Sequence, residues 1–123
     1  MLMNIATFIS ALIIVESDGN VNAVGDDGDN IGCLQIHHNV VEDVNNIFGT
    51  DFTLDDRYDM QMSRVICNLY LSYWGAKYEE NTGFTVSPEV YARIWNGGPQ
   101  GWNKVSTKKY WLKVQDVLKS MER

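Results

Sequence analysis

The stretch that decides the fold is IATFISALIIVES, Ile5–Ser17. Ile5, Phe8, Ile9, Leu12 and Ile13 fall at i, i+3, i+4, i+7 and i+8, the spacing of one buried helical face. Other uses of so apolar an opening fit less well. No Lys or Arg precedes Ile5 and no A-x-A cleavage site follows, as a secretory leader would require. The apolar run Ile5–Val15 is also shorter than the roughly 20 residues a bilayer span needs. A core helix is expected here, and no membrane insertion.

Working outward, Gly19, Gly25, Gly28 and Gly32 punctuate Asp18–Gln35, which reads as loop with room for a short hairpin. A helix is predicted over Asn39–Phe48, stopped by Gly49. Thr53 or Asp55 is placed to cap a long helix running toward Asn81. Its apolar positions Met62, Val65, Ile66, Leu69, Tyr70 and Tyr73 keep the helical period, and Gly83 ends it. Ser87-Pro88-Glu89 combines an N-cap hydroxyl, a proline at the first helical position and an acid in the first turn. That helix is predicted to run to about Trp95 and to break at Gly97-Gly98-Pro99. Thr107 is placed to cap a last helix whose Tyr110, Val114, Val117, Leu118 and Met121 share a face. The expected fold is mainly α: about five helices and one glycine-rich excursion in a single domain, 1–123.

Composition narrows the function. Apolar residues make up 45% and charged residues 21%, which favours a packed core over disorder. Ten Lys plus Arg against sixteen Asp plus Glu leave a net charge of −6, the wrong sign for nucleic-acid binding or an anionic membrane. Two cysteines, Cys33 and Cys67, exclude a zinc ribbon and a disulfide-dense scaffold, and leave one bridge open as an alternative.

Glu16 is the candidate catalytic residue. It follows Ile13 by three, Leu12 by four and Ile9 by seven positions, so it continues the apolar stripe. It also falls at the C-terminal end of the helix, where the macrodipole disfavours a negative charge by about 0.3–1 kcal/mol. Burial and the dipole together favour the protonated carboxylic acid that a general acid must be. If the helix ends earlier, Glu16 instead points into solvent.

The residues after Glu16 bear on this choice. Glu16-Ser17 is followed by Asn22-Ala23 and then by Gly32-Cys33-Leu34-Gln35-Ile36. Further on come Ile94-Trp95-Asn96-Gly97-Gly98-Pro99 and Thr107-Lys108-Lys109-Tyr110-Trp111-Leu112-Lys113-Val114. In order and spacing these blocks resemble the signature of the lysozyme-like superfamily, in particular soluble lytic transglycosylases and goose-type lysozymes. The resemblance extends from Glu16 to Val114 but is weak between residues 37 and 88. It implies a lysozyme-like catalytic domain in which the glycine-rich loop lines a glycan cleft. The activity implied is cleavage of the β-1,4 bond between N-acetylmuramic acid and N-acetylglucosamine in peptidoglycan.

On that resemblance Glu16 is the general acid. In transglycosylases the muramyl 6-hydroxyl then attacks its own anomeric carbon; in goose-type lysozymes water attacks, aided by loop aspartate. Asp26 matches one such aspartate, whereas the other falls at His37, a departure from the pattern. Asp26 therefore either positions water or serves as a turn residue. The resemblance assigns substrate contacts to Gln35, Trp95, Asn96, Gly97 and Tyr110. Their plainer roles are a backbone-satisfying amide for Gln35, a helix C-cap for Asn96, helix termination for Gly97 and core packing for Tyr110. Trp95 replaces the family's tyrosine and lacks its hydroxyl.

Two other classes compete. Asp18, Asn20, Asn22, Val24, Asp26 and Asp29 echo the ligand spacing of a calcium loop. Ala23 stands where that loop needs glycine, and Asp29 where it needs glutamate. A non-catalytic glycan-binding domain on the same fold is the other. His37-His38 reads as two adjacent side chains pointing apart with no third ligand, so neither metal nor cofactor is expected. A monomer acting on the glycan strand of the bacterial cell wall, periplasmic or extracellular, is anticipated. Without a leader or wall-binding module, it would be a minimal phage-type lysin or one domain of a larger machine.

Overall fold

The computed structural model describes residues 4–25 and 27–122. It contains five α-helices: α1 (Ile5–Ser17), α2 (His38–Phe48), α3 (Met60–Thr82), α4 (Pro88–Gly97) and α5 (Lys108–Met121). Short 3-10 turns at Leu54–Tyr58, Gly101–Asn103 and Val105–Thr107 join them. The mainly helical fold class follows directly. Among the described residues, no helix is long and apolar enough to cross a membrane. Packing divides the chain into two compact units, one of Met1–Leu12 with Leu71–Arg123 and the other of Ile13–Tyr70.

In the first unit, Phe8, Ile9, Ala11 and Leu12 of α1 are buried, as the stripe predicts. Phe8 meets the Tyr91 ring at 5.9 Å between centroids. Leu71, Ala92, Ile94, Tyr110, Val114 and Leu118 complete this core. Ser87 caps α4 by accepting the Val90 N–H at 3.2 Å, with Pro88 in the first turn. The helix continues to Gly97, two residues past the expected Trp95. Thr107 does precede α5, but its side chain does not cap it. Its buried hydroxyl instead donates to the Gly101 and Lys104 carbonyls, both at 2.8 Å, and accepts from Arg93 Nε at 2.8 Å.

In the second unit, Ile13, Ile31, Cys33, Leu34, Ile36, Val41, Val44, Ile66, Cys67 and Tyr70 form the core. The glycine-rich excursion folds back on itself through two isolated antiparallel bridges, Val24 with Ile31 and Ile31 with Ile36. This is less than the hairpin the sequence allowed. Gly49, at φ 67°, closes α2 by donating to the Asn45 carbonyl.

The long helix begins later than Thr53 or Asp55. Thr53 and Asp56 form a reciprocal capping box that closes one tight 3-10 turn. Asp59 is extended, and its carboxylate accepts the Met62 N–H at 2.9 Å to open α3. On α3, Ile66 and Tyr70 are buried as expected, whereas Val65 is exposed and Ser63, Cys67 and Leu71 take the remaining inward positions.

Candidate functional site

Glu16 and Ser17 form the last turn of α1, which has no basic residue there. Glu16 is half-buried rather than enclosed, so the stripe carries it only part of the way inward. Beyond it, Asp18 at φ 53° and Gly19 at φ 88° turn the chain out of the helix. Ser17 Oγ donates to the Cys33 carbonyl at 2.8 Å and accepts the Asn20 N–H at 3.1 Å. One hydroxyl thus ties the end of α1 to the Gly32-Cys33-Leu34-Gln35 block and shapes the turn between them. Cys67 of α3 lies within electrostatic reach of Glu16: its buried thiol is pushed up chiefly by desolvation, and the nearby carboxylate adds to the effect. Cys33 and Cys67 are both free and buried, which resolves the bridge left open by the sequence.

Gln35 sits in the left-handed region at φ 53°, unusual for a residue with a side chain. Its amide nitrogen donates to the Gly32 carbonyl at 3.0 Å, so the side chain folds onto its own turn. Gly32, at φ 82°, leaves no room for a side chain: a Cβ there would lie 1.8 Å from the Arg57 carbonyl oxygen.

Arg57, not singled out in the sequence, organises the loop from inside. Its side chain is 9% exposed. Nε donates to the Leu54 carbonyl at 2.8 Å; Nη1 donates to the Asp29 carbonyl at 3.1 Å, Asp29 Oδ1 at 2.9 Å and the Ile36 carbonyl at 3.0 Å. One guanidinium therefore spans both ends of the Ile31–Ile36 reversal. A buried arginine needs such partners, and apart from Leu54 they lie 21 or 28 positions away in sequence.

Asp29 completes this cluster. Oδ2 lies 3.0 Å from His37 Nε2 and makes a shorter contact with His38 Nδ1. The two imidazoles lie 4.4 Å apart with a 38° tilt, so they converge on one carboxylate instead of pointing apart. The hydrogen bond from His38 and then that from Arg57 hold the Asp29 carboxyl far below the usual range, and Asp29 in turn raises His38. The last position of the calcium-loop pattern is thus engaged by a guanidinium and two imidazoles.

The other candidates lie in the first unit. Trp95 is half-buried and Asn96 exposed in the last turn of α4. The Gly97 carbonyl accepts from Lys104 Nζ at 2.8 Å, and a Cβ at Gly97 would come within 2.6 Å of the Thr107 methyl. The glycine is therefore explained by close packing under the 3-10 segment as well as by helix termination. Tyr110 is buried on α5. Glu16 and Gln35 belong to the second unit, and Asp26 lies outside the described residues.

No protein-family model matches the chain. Over 40 residues it is 45% identical to "Lysozyme 1" of Crassostrea virginica, a stretch covering 32% of this chain. The match spans only 22% of that protein's length. Over this stretch the chain is similar to a lysozyme.

Proposed function

We propose that this chain is a lysozyme-type muramidase that cleaves peptidoglycan between N-acetylmuramic acid and N-acetylglucosamine, with Glu16 as general acid. The observation that carries the reading is the 40-residue likeness to a lysozyme. The sequence signature and the local structure supply the candidate acid: a half-buried glutamate in the last turn of a helix, where the dipole disfavours its ionised form.

The chemistry assigned to Glu16 has two halves. Its proton passes to the glycosidic oxygen as the C1–O bond breaks and the muramyl ring gains oxocarbenium character. The resulting carboxylate then takes the proton of the muramyl C6 hydroxyl as that oxygen bonds to C1. This closes a 1,6-anhydro ring and restores the acid. One carboxyl group suffices for both halves, which favours a lytic transglycosylase over a hydrolase of the goose type. In the hydrolytic route Asp26 would position water, and the product would carry a reducing end. The strand contacts proposed are, in the second unit, a sugar hydroxyl or amide at Gln35 and, in the first, an N-acetyl group at Asn96, close backbone approach at Gly97 and an aromatic face at Trp95; Tyr110, buried in the core, takes the packing role instead.

Purified cell walls and mass spectrometry test this directly. Glu16→Gln should abolish the loss of turbidity while strand binding persists; undiminished activity in that variant rejects the mechanism. Anhydro ends among the released muropeptides support transglycosylation. Reducing ends, together with loss of activity in Asp26→Asn, support hydrolysis.

A further inference from the structure

We propose that Asp29 Oδ2, His37 Nε2 and His38 Nδ1 form a site for a divalent transition-metal ion of the zinc type, clipping the end of the glycine-rich excursion to the start of α2. The three ligand atoms all lie within 4.8 Å of one another. Zinc bonds of about 2.0–2.2 Å in tetrahedral geometry require ligand separations of roughly 3.4 Å. The Asp29 to His37 distance of 3.0 Å is already near that value. The shorter His38 contact must open to the same separation, and the two imidazoles are 36% and 47% exposed, so an ion from solvent has access.

The surrounding hydrogen bonds are those of metal ligands. His37 Nδ1 faces Asn39, 2.9 Å from its Oδ1 and 3.4 Å from its backbone nitrogen, which leaves Nε2 turned toward Asp29. On His38, Nε2 faces Glu42 Oε2 at 3.5 Å, which orients the ring with Nδ1 toward Asp29. Asp29 offers only Oδ2, because Oδ1 accepts from Arg57. Metal-bound imidazoles and carboxylates characteristically have an outer partner of this kind, and here all three ligands have one. Two nitrogens and one oxygen favour Zn2+, Ni2+ or Cu2+ over Ca2+ and Mg2+, which take mainly oxygen. Three protein ligands leave coordination positions for solvent. The positive end of α2 and the Arg57 charge oppose the ion, and the Asp29 and Glu42 carboxylates offset them.

The test uses tag-free, chelator-treated protein at pH 7.5 with Zn2+ as the probe, and none of its readouts depends on lytic activity. Calorimetry should give one Zn2+ per chain. At a hundredfold excess over Kd, the melting temperature should rise by roughly 8 °C, with no response to Ca2+ or Mg2+ at the same concentration. His37→Gln and His38→Gln should each weaken Zn2+ at least tenfold, since even outer-shell losses reach that size. Both lie at the exposed start of α2, and the metal-free melting temperature reports whether each variant folds. Histidine-ring NMR signals of the parent protein provide a measurement that needs no variant: both rings should shift on Zn2+ addition. Absence of zinc binding, unchanged affinity in either variant, or unmoved ring signals would overturn the site.

Discussion

Replacing Arg57 by methionine should cost about 3–5 kcal/mol of stability. The variant keeps most of the buried stem volume and removes the guanidinium. The Ile36 carbonyl, whose bond to Nη1 is buried, loses this partner at about 1–3 kcal/mol. The Asp29 carboxylate loses its cation but retains both imidazoles and is 29% exposed, so water recovers part of that interaction. Adding the Leu54 and Asp29 carbonyls brings the total into the range measured when one partner of a buried ion pair is removed. Arg57→Lys keeps the charge and most of the stem. A single ammonium cannot reproduce the fork across Leu54, Asp29 and Ile36, so about 1–2 kcal/mol should be lost. Urea unfolding followed by far-ultraviolet circular dichroism measures both. With a slope of about 1.5 kcal/mol/M, Arg57→Met should lower the midpoint by about 2–3 M. A methionine variant within 1 kcal/mol of the parent, or a lysine variant equally damaged, refutes the view that this side chain clamps the reversal.

Three further outcomes are expected. Gly32→Ala combines a positive φ with a Cβ placed 1.8 Å from the Arg57 carbonyl. It should destabilise by more than the about 1–2 kcal/mol of backbone strain alone, and a smaller loss in thermal unfolding would contradict the packing described. In chelator-containing buffer, stability should fall at both ends of the pH range. Asp29, held below its unfolded value, contributes above about pH 4 and loses that contribution as pH falls toward its lowered pKa. His38, raised, contributes below about pH 6.5 and loses that contribution as pH rises through its folded pKa. Melting temperatures should therefore peak on the acid side of neutrality, and an Asp29→Asn variant should flatten the profile; an unchanged profile there contradicts the assignment. Both cysteines are free and buried with thiols pushed upward, so Ellman's reagent should react slowly with native protein and titrate two thiols after denaturation. Rapid native reaction, or fewer than two thiols, would disprove that account.

What the sequence disclosed was what local periodicity and end chemistry encode. The stripe from Phe8 to Ile13 and the Ser87-Pro88-Glu89 start were legible because each is decided within a few residues. The start of α3 was not: Thr53 is a sound cap, but a capping box closes a 3-10 turn as readily as an α-helix, and Asp59 supplies a second start. Val65 fits the period yet faces outward, since Ser63 and Cys67 are small enough to take the inner positions. In the candidate site, the end of α1 at Glu16-Ser17 was readable from the apolar stripe and the turn after it. Arg57 was not, because its partner Asp29 is 28 positions away. The convergence of His37 and His38 stayed hidden for the same reason: adjacent residues diverge on average, and only the return of the chain at Ile36 brings Asp29 beneath both rings.

The excursion between Val24 and Ile36 is held by two lone bridges, a serine hydroxyl and a guanidinium, with no extended ladder among the described residues. An unpaired strand edge is the usual template on which neighbouring molecules add and aggregate. A reversal closed by short reciprocal backbone pairs, with side chains onto its carbonyls, presents little such template. Concentrated solutions of this acidic chain should consequently resist fibril seeding, even though the reversal is among its most glycine-rich parts.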